Sequence, residues 1–195
     1  MIKCRNGAVD KKMNARRNLA GAALAAMVAM APAGIANAST QGTLGSTSTG
    51  SVSISASVPS RVRISGLSDV AFTNVDPSVD ASNAQNVCVW SNTATKGYRV
   101  TATGSGTANA FTLANGALTV PYSVEWSASS GQTAGAALTS GTALTSLVST
   151  ATNVNCASGP SSSASLIVKV GSASLQTMSA STSYTGTLTL LVAPE

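Results

Sequence analysis

The amino-acid sequence predicts an antiparallel β-sandwich, and three observations indicate this all-β fold class. Short alternations of apolar and polar residues recur along the chain, and a period of two is typical of strands with one buried face. Turn-forming Gly, Asn, Pro and Ser residues separate these alternations. After residue 38, no segment has the apolar spacing and capping residues of an amphipathic helix. The regular alternation also argues against disorder, because a disordered chain does not need to keep one face apolar.

The first 38 residues are predicted to be a signal peptide rather than part of the fold. Six basic residues precede a short apolar run, and small residues end that run at Ala36 and Ala38. This order is typical of a secretory signal, here cleaved between Ala38 and Ser39. Proline and glycine interrupt the apolar run, which is already short for a membrane span. We therefore expect residues 1–38 to be removed from the mature protein.

The predicted mature chain, residues 39–195, has a net charge near zero. The full sequence carries 11 basic and 6 acidic residues, but six of the basic residues lie in the predicted signal. Five basic and five acidic residues remain after cleavage. This balance removes the main electrostatic argument for nucleic-acid binding.

Enzymatic activity is not predicted, and neither is a metal or another cofactor. The chain has no histidine, so its many serines lack the usual base that activates a nucleophile. The carboxylates of the mature chain are scattered along the sequence, at Asp69, Asp76, Asp80, Glu125 and Glu195. Two cysteines without histidine do not make a typical metal site.

Cys88 and Cys156 are predicted to form a disulfide bond. They are the two cysteines of the mature chain, and an exported protein meets an oxidising compartment. The alternative is a pair of buried thiols that do not meet.

Residues 61–195 are predicted to form one domain of successive short strands. The alternating segments, in chain order, are residues 61–66, 86–92, 97–104, 110–126, 164–170 and 183–194. The fourth segment contains Asn115-Gly116, the dipeptide most favoured in two-residue hairpins. Residues 127–160 are rich in Ser, Thr, Ala and Gly and have no clear pattern, and residues 39–50 indicate a flexible segment.

The longest alternation lies in the N-terminal extension, residues 39–60, and continues into the domain. The stretch "SVSISASVPSRVRI", residues 51–64, is apolar at every even position except Ser60. Typical strands have about five or six residues, so this one is unusually long. The apolar residues before its proline are Val52, Ile54, Ala56 and Val58. They predict a surplus strand that precedes the domain.

The last predicted strand offers a place for such a strand. Leu188, Leu190 and Val192 alternate along one face, and the sequence then stops at Glu195. An immunoglobulin-like sandwich normally closes its core with one further strand, so we expect an open groove beside these residues. Pro59 and the short run that follows lead directly into the first strand of the domain. The surplus strand is therefore expected to fill the groove of a neighbouring copy rather than its own.

The sequence resembles the alpha-type fimbrial pilins, the major subunits of enterobacterial colonisation-factor pili and related cable pili. The blocks that carry this resemblance are "SVSISASVPSRVRI", "VPYSVEW" (residues 120–126) and "SYTGTLTLLV" (residues 183–192), in matching order and spacing. The two cysteines depart from these major pilins, and residues 127–160 match no part of them. These departures leave open a minor or tip subunit, or a pilin of an archaic chaperone–usher relative.

The resemblance implies an incomplete immunoglobulin-like sandwich that is completed by a donor strand from a neighbouring subunit. It also implies a structural role in a surface fimbria that serves cell adhesion. The implied partners are identical or related pilin subunits, a periplasmic chaperone and an outer-membrane usher, with a host-surface receptor left open. The implied route is export through the periplasm to the cell surface.

Two alternatives from other functional classes remain at this stage. The first alternative is a tip adhesin or a secreted carbohydrate-binding sandwich that stacks aromatic side chains on a sugar. The candidate aromatic residues are Trp90, Tyr98, Tyr122 and Trp126, although aromatic residues in strands more often belong to a core. Basic residues could bind an anionic receptor, although such residues more often belong to solvated strand faces and turns: Arg61, Arg63, Lys96 and Arg99. The second alternative is a self-contained sandwich whose N-terminal strand completes its own fold.

Overall fold

A computed structural model describes residues 39–195 of the chain. The predicted signal, including Ala38 of its cleavage site, lies outside the described residues. The chain divides into two units, whose boundary in the sequence falls between Ala56 and Ser57.

The second unit, Ser57–Glu195, is all-β with antiparallel sheets, as the sequence predicts for a β-sandwich. Its strands are β1 (Val62–Ser65), β2 (Ala81–Ser91), β3 (Gly97–Gly104), β4 (Thr112–Asn115), β5 (Leu118–Pro121), β6 (Ser123–Ser127), β7 (Ala136–Ala137), β8 (Ala143–Val148), β9 (Ala164–Val170) and β10 (Leu188–Pro194). A 3₁₀ turn, Thr107–Asn109, and a one-turn helix α1, Ser172–Leu175, complete the described elements. In residues 39–195, no helix is long and apolar enough to cross a membrane.

The larger sheet has five strands in the order β1-β2-β9-β6-β7. Its long strand β2 pairs with two different strands along its length. Residues 81–87 pair with β9, whereas Cys88–Ser91 pair with β1. The short β1 therefore covers only one end of β2.

The smaller sheet has three strands in the order β10-β3-β8, and β4 and β5 form a separate hairpin. The predicted hairpin at Asn115-Gly116 is confirmed, but its turn is one residue later than the dipeptide. Asn115 pairs with Leu118 as the last residue of β4, so Gly116 and Ala117 make the turn. Gly116 has a φ of 58°, which glycine adopts without the steric cost that a side chain adds.

The two main sheets share one hydrophobic core. Val87 and Val89 of β2 are fully buried, as are Val100 and Ala102 of β3. Trp126 of β6 lies in the same core. Alternate residues on facing strands thus pack between the sheets, as in other sandwiches.

The centre of this core contains one polar contact. The indole Nε1 of Trp126 donates a hydrogen bond of 3.2 Å to the hydroxyl oxygen of Tyr98, and both side chains are buried. Burial raises the pKa of Tyr98, while the bond from Trp126 acts in the opposite direction. The contact satisfies the indole N–H, which would otherwise be buried without a partner.

The predicted stacking of aromatic residues on a sugar is not supported by their positions. Tyr98, Tyr122 and Trp126 belong to the buried core. Trp90 is partly buried and packs against the two cysteines. The interpretation of these residues as core residues is therefore confirmed.

The predicted disulfide between Cys88 and Cys156 is confirmed. It joins β2 to the loop between β8 and β9 across a sequence separation of 68 residues. Both sulfurs lie in a small cluster with the buried Ala151. In the chain-entropy model, closing a loop of this length stabilises the fold by roughly 4 kcal/mol.

The structure adds three elements that the sequence pattern did not predict. The stretch 127–160 contains β7 and β8, and α1 follows β9 although no helix was expected. In β8 the inward residues Leu144 and Leu147 are three positions apart, because Ser146 has a φ of 60° and the pairing with β3 shifts register. This irregularity removes the period of two by which a strand is detected in a sequence.

We expect the disulfide to contribute measurably to stability. Alkylation of the unreduced mature chain should label neither thiol, as mass spectrometry would show. The Cys88→Ser/Cys156→Ser variant should unfold with a free energy about 2–5 kcal/mol lower in urea titration. Labelling of both thiols without reductant would contradict the bond.

We expect Tyr98→Phe to destabilise the fold by about 1–3 kcal/mol, because it leaves the buried indole N–H of Trp126 unpaired. Tyr122→Phe is the matched control, since no hydrogen bond joins the Tyr122 hydroxyl to another described residue. Its effect should stay within about 0.5 kcal/mol. Equal urea midpoints for the two variants would show that the contact between Trp126 and Tyr98 contributes nothing to stability.

Candidate functional site

The Ser57–Glu195 unit contains an apolar groove of about 640 Å³, which we call the edge groove. Its walls are residues 67–75, which follow β1, and residues 183–190, which lead into β10. Side chains from β9 and α1 also line it. The largest apolar contributors include Leu67, Phe72, Val168, Met178, Leu188 and Leu190.

The edge groove lies where the larger sheet lacks a strand. Gly66 follows β1 and has a φ of 80°, a conformation that ends an extended strand. Residues 66–80 contain no strand. Within the described part of the chain, residues 81–87 of β2 pair only with β9. The absence of a strand beside this half of β2 leaves room for the groove.

The strand β10 is an edge strand of the smaller sheet, and it presents unpaired backbone groups beside the edge groove. In the described residues it pairs on one side only, with β3. The amide of Glu195 donates to the carbonyl of Gly97 at 3.2 Å, which fixes the phase of the ladder. Because hydrogen-bonded pairs alternate in an antiparallel ladder, odd-numbered residues of β10 bond to β3 and even-numbered ones direct their backbone groups outward. The residues whose backbone groups point outward are Leu188, Leu190, Val192 and Pro194. Pro194 offers only its carbonyl, because proline has no N–H.

The same three residues direct their side chains toward the core. Leu188, Leu190 and Val192 are partly buried and pack against the core, whereas Leu191 is 64% exposed. Leu188 and Leu190 line the edge groove, while Val192 lies beyond the lining residues. Of the acceptor residues predicted from sequence, the structure thus brings two into the groove. The edge offers apolar side chains and free backbone groups together.

The edge groove has little polar chemistry. Asp69 is the one residue of its lining with a charged side chain. Burial raises the pKa of the Tyr122 hydroxyl. The hydroxyl of Tyr184 accepts a 3.2 Å hydrogen bond from the Ser179 amide, which lowers the pKa of Tyr184. Among residues 39–195, no group of three or more His, Cys, Asp or Glu residues is placed to hold a metal ion.

The predicted donor residues lie in a segment of solvent-exposed side chains, Val52–Val58, which we call the donor segment. Val52, Ile54 and Val58 are 74%, 90% and 82% exposed, and Ala56 is also exposed. Within the described residues, no residue of this segment belongs to a strand. Such exposure of three large apolar side chains in a regular alternation is unusual unless they are covered in an assembly.

A short backbone contact precedes the donor segment. Thr40 and Ser51 exchange two backbone hydrogen bonds of 2.9 Å, so the stretch between them forms a closed loop. Ser39, the first residue after the predicted cleavage site, is exposed. The flexibility expected for residues 39–50 stays a prediction, and this bridge joins the two ends of that segment.

Sequence reasoning did not identify most of the edge groove. Val70 and Phe72 line it from a loop without alternation, and Leu175 and Met178 line it from α1 and the turn that follows. Isolated apolar residues in a loop are the only sequence signal that these positions carry. Their convergence depends on contacts between segments that are far apart in the chain.

A comparison with models of known protein families finds no match for this sequence, and a comparison with curated proteins also finds none. The resemblance to fimbrial pilins therefore rests on its three sequence blocks. The functional conclusion depends on the edge groove and on the exposed donor segment.

Proposed function

We propose that this protein is a structural subunit of a surface fimbria, in which the donor segment of one copy fills the edge groove of the next. One observation carries the proposal. The same chain has an exposed, alternating apolar segment and an apolar groove beside an unpaired strand edge. The exposed apolar segment and the open strand edge would each promote aggregation of a secreted monomer. Docking the segment of one copy into the groove of the next would cover both.

The apolar side chains of the two features are complementary. The even-numbered residues Val52, Ile54 and Val58 would enter the groove, because alternate residues of a strand point to the same face. Burying these three side chains contributes roughly 5–9 kcal/mol. The small Ala56 would enter the groove between Ile54 and Val58. The odd-numbered serines would remain in water.

The backbone groups are complementary as well. An inserted strand would bond to the outward amide and carbonyl groups of Leu188, Leu190 and Val192. This is β-strand addition, in which main-chain hydrogen bonds give affinity and alternate side chains give specificity; complementation between pilins and chaperones is an established example. The inserted strand would complete an immunoglobulin-like sandwich.

The remaining partners follow from the need to protect the open edge. An apolar groove beside unpaired backbone groups promotes aggregation, so a periplasmic chaperone would cover it before assembly. An outer-membrane usher would then present each subunit to the growing fibre at the cell surface. Such a fibre would serve cell adhesion.

We expect Ile54→Asp to abolish fibres. The substitution would place a carboxylate at the centre of the buried donor strand, and an unpaired buried charge is too costly for docking. Ser55→Asp, one residue along, should point to water and leave fibres intact. Electron microscopy and unheated SDS gels of the assembled material would score both variants.

The monomers of the two variants provide the control. Both should be recovered in equal amounts and with equal melting temperatures, because both side chains are exposed before assembly. Equal loss of fibres in both variants, or failure of the Ile54→Asp monomer to fold, would show that the alternation serves an ordinary internal strand.

We also expect a synthetic peptide of residues 50–60 to bind a chain that lacks residues 39–58. Binding should be saturable by fluorescence anisotropy and should raise the melting temperature of the truncated domain, since the ligand stabilises only the folded state. A peptide with Ile54→Asp should bind at least tenfold more weakly, whereas the Ser55→Asp peptide should match the unmodified one. A truncated chain that polymerises as well as the full chain would overturn the donor role.

A further inference from the structure

We propose that the Ser57–Glu195 unit carries opposite charges at its two ends, and that the basic end of one copy docks against the acidic end of the next, with Arg61 beside Asp69. This inference rests on the proposed function, because the donor segment is what joins the two copies. It adds a second contact surface and fixes which ends meet.

The basic end lies where β1 begins, β2 ends and β3 begins. Four exposed cations belong to it: Arg61, Arg63, Lys96 and Arg99. The backbone of Arg61 is held against the end of β2, since its amide donates to Asn92 Oδ1 at 2.6 Å and its carbonyl accepts from the Asn92 amide at 3.1 Å. Lys96 immediately precedes β3.

One carboxylate also lies at the basic end. The Oε2 atom of Glu195 accepts a hydrogen bond of 2.7 Å from the amide of Ser146. In residues 39–195, none of the four cations forms an ion pair within 4.0 Å. The basic end therefore keeps a positive excess.

The acidic end lies at the other end of β2, around the connection from β1 to β2. Asp76 and Asp80 are exposed there, and Asp69 is exposed in the same connection, beside the middle of β2, where Ser68 exchanges two hydrogen bonds with the Gln85 side chain. An Oδ1 atom of Asp80 accepts a 2.7 Å hydrogen bond from the Ser172 amide, which places this carboxylate beside the end of β9. The one cation on the neighbouring part of β9, Lys169, forms a 2.6 Å ion pair with Glu125. The acidic end therefore keeps a negative excess.

The two ends are far apart in one copy. Strand β2 has 11 residues and separates them. At about 3.3 Å per residue, Asp80 is roughly 35 Å from the basic end, several times the Debye length of ~10 Å at 0.1 M salt. Asp69 follows Arg61 by eight residues, which span at most about 29 Å. The opposite charges of a single copy therefore do not neutralise each other.

Donor insertion brings opposite ends of two copies together. Arg61 follows Val58 by three residues, which span at most about 11 Å. A copy whose Val58 occupies the edge groove of a neighbour must therefore hold its Arg61 close to that groove. The charged residue of the groove lining is Asp69, in the connection that also carries Asp76 and Asp80. The short connection thus allows a direct contact between Arg61 of one copy and Asp69 of the other.

The charge arrangement has a consequence for assembly. A contact between two different ends is heterologous, and its repetition produces an open filament rather than a closed dimer. Like ends repel, so the charges disfavour reversed docking and accelerate the correct encounter.

Charge reversal tests this inference with two variants of the mature chain. In Arg61→Glu the two facing residues would be carboxylates, and in Asp69→Arg they would be cations. Each variant alone should polymerise about tenfold more slowly than the unmodified chain in 50 mM NaCl, as followed by light scattering. An equimolar mixture should regain the unmodified rate, because alternating copies restore an opposite pair at every junction. The differences should shrink toward none in 1 M NaCl.

The matched control is Ser130→Glu, combined with Thr133→Glu, which changes the net charge by the same amount as Arg61→Glu. These positions are exposed in the loop after β6, and this loop contacts Asn86 in the middle of β2. This control should polymerise at the unmodified rate. Normal homopolymerisation of both reversed variants, or no recovery on mixing them, would overturn the charge contact while leaving the donor role intact. Absence of polymers from the unmodified chain in every salt would instead overturn the donor role and this inference together.

Discussion

The one-sided pairing of β10 is the constraint on which the rest of the site depends. Within the described residues this strand bonds to β3 and to nothing on its other side. Antiparallel geometry then directs the amides and carbonyls of its even-numbered residues outward. The same residues turn their side chains toward the core. A single strand therefore supplies both the hydrogen-bonding edge and part of the apolar lining.

The short β1 makes this edge accessible. If β1 continued beyond Gly66, it would cover the first half of β2, where the edge groove now lies. The loop 67–75 replaces it and leaves a concave apolar surface instead of a closed sheet edge. A protein that is not completed by another chain normally blunts such an edge with charge, proline or a covering element. The lining of the edge groove contains one residue with a charged side chain, Asp69.

Contacts outside the edge groove stabilise the rest of the Ser57–Glu195 unit. The edge groove is lined neither by the pair Trp126 and Tyr98 nor by the disulfide between Cys88 and Cys156. The disulfide joins β2 to a loop that carries no strand of its own. A domain that is held together in this way can tolerate an open edge, because its core does not depend on closing that edge.

The sequence by itself determined the fold class, most strands and the disulfide. Alternation and short apolar runs are local properties, so β3 and the apolar, mostly buried β9 could be predicted with their observed bounds. The donor segment and the inward face of β10 were identified for the same reason. The pairing of Cys88 with Cys156 needed only their number and an oxidising compartment.

Only the tertiary structure decided where the groove lies and which charges share an end. Phe72 and Met178 line one surface although about a hundred residues separate them, and no local pattern encodes such a meeting. Strand β8 was not predicted, because the left-handed backbone conformation of Ser146 interrupts the alternation of this strand. The opposite charges of Arg61 and Asp69 are close in sequence, yet the extended β1 holds Arg61 beside Asn92 and carries the chain to Gln85 before Asp69. Long-range packing sets these relations, and a one-dimensional pattern does not contain them.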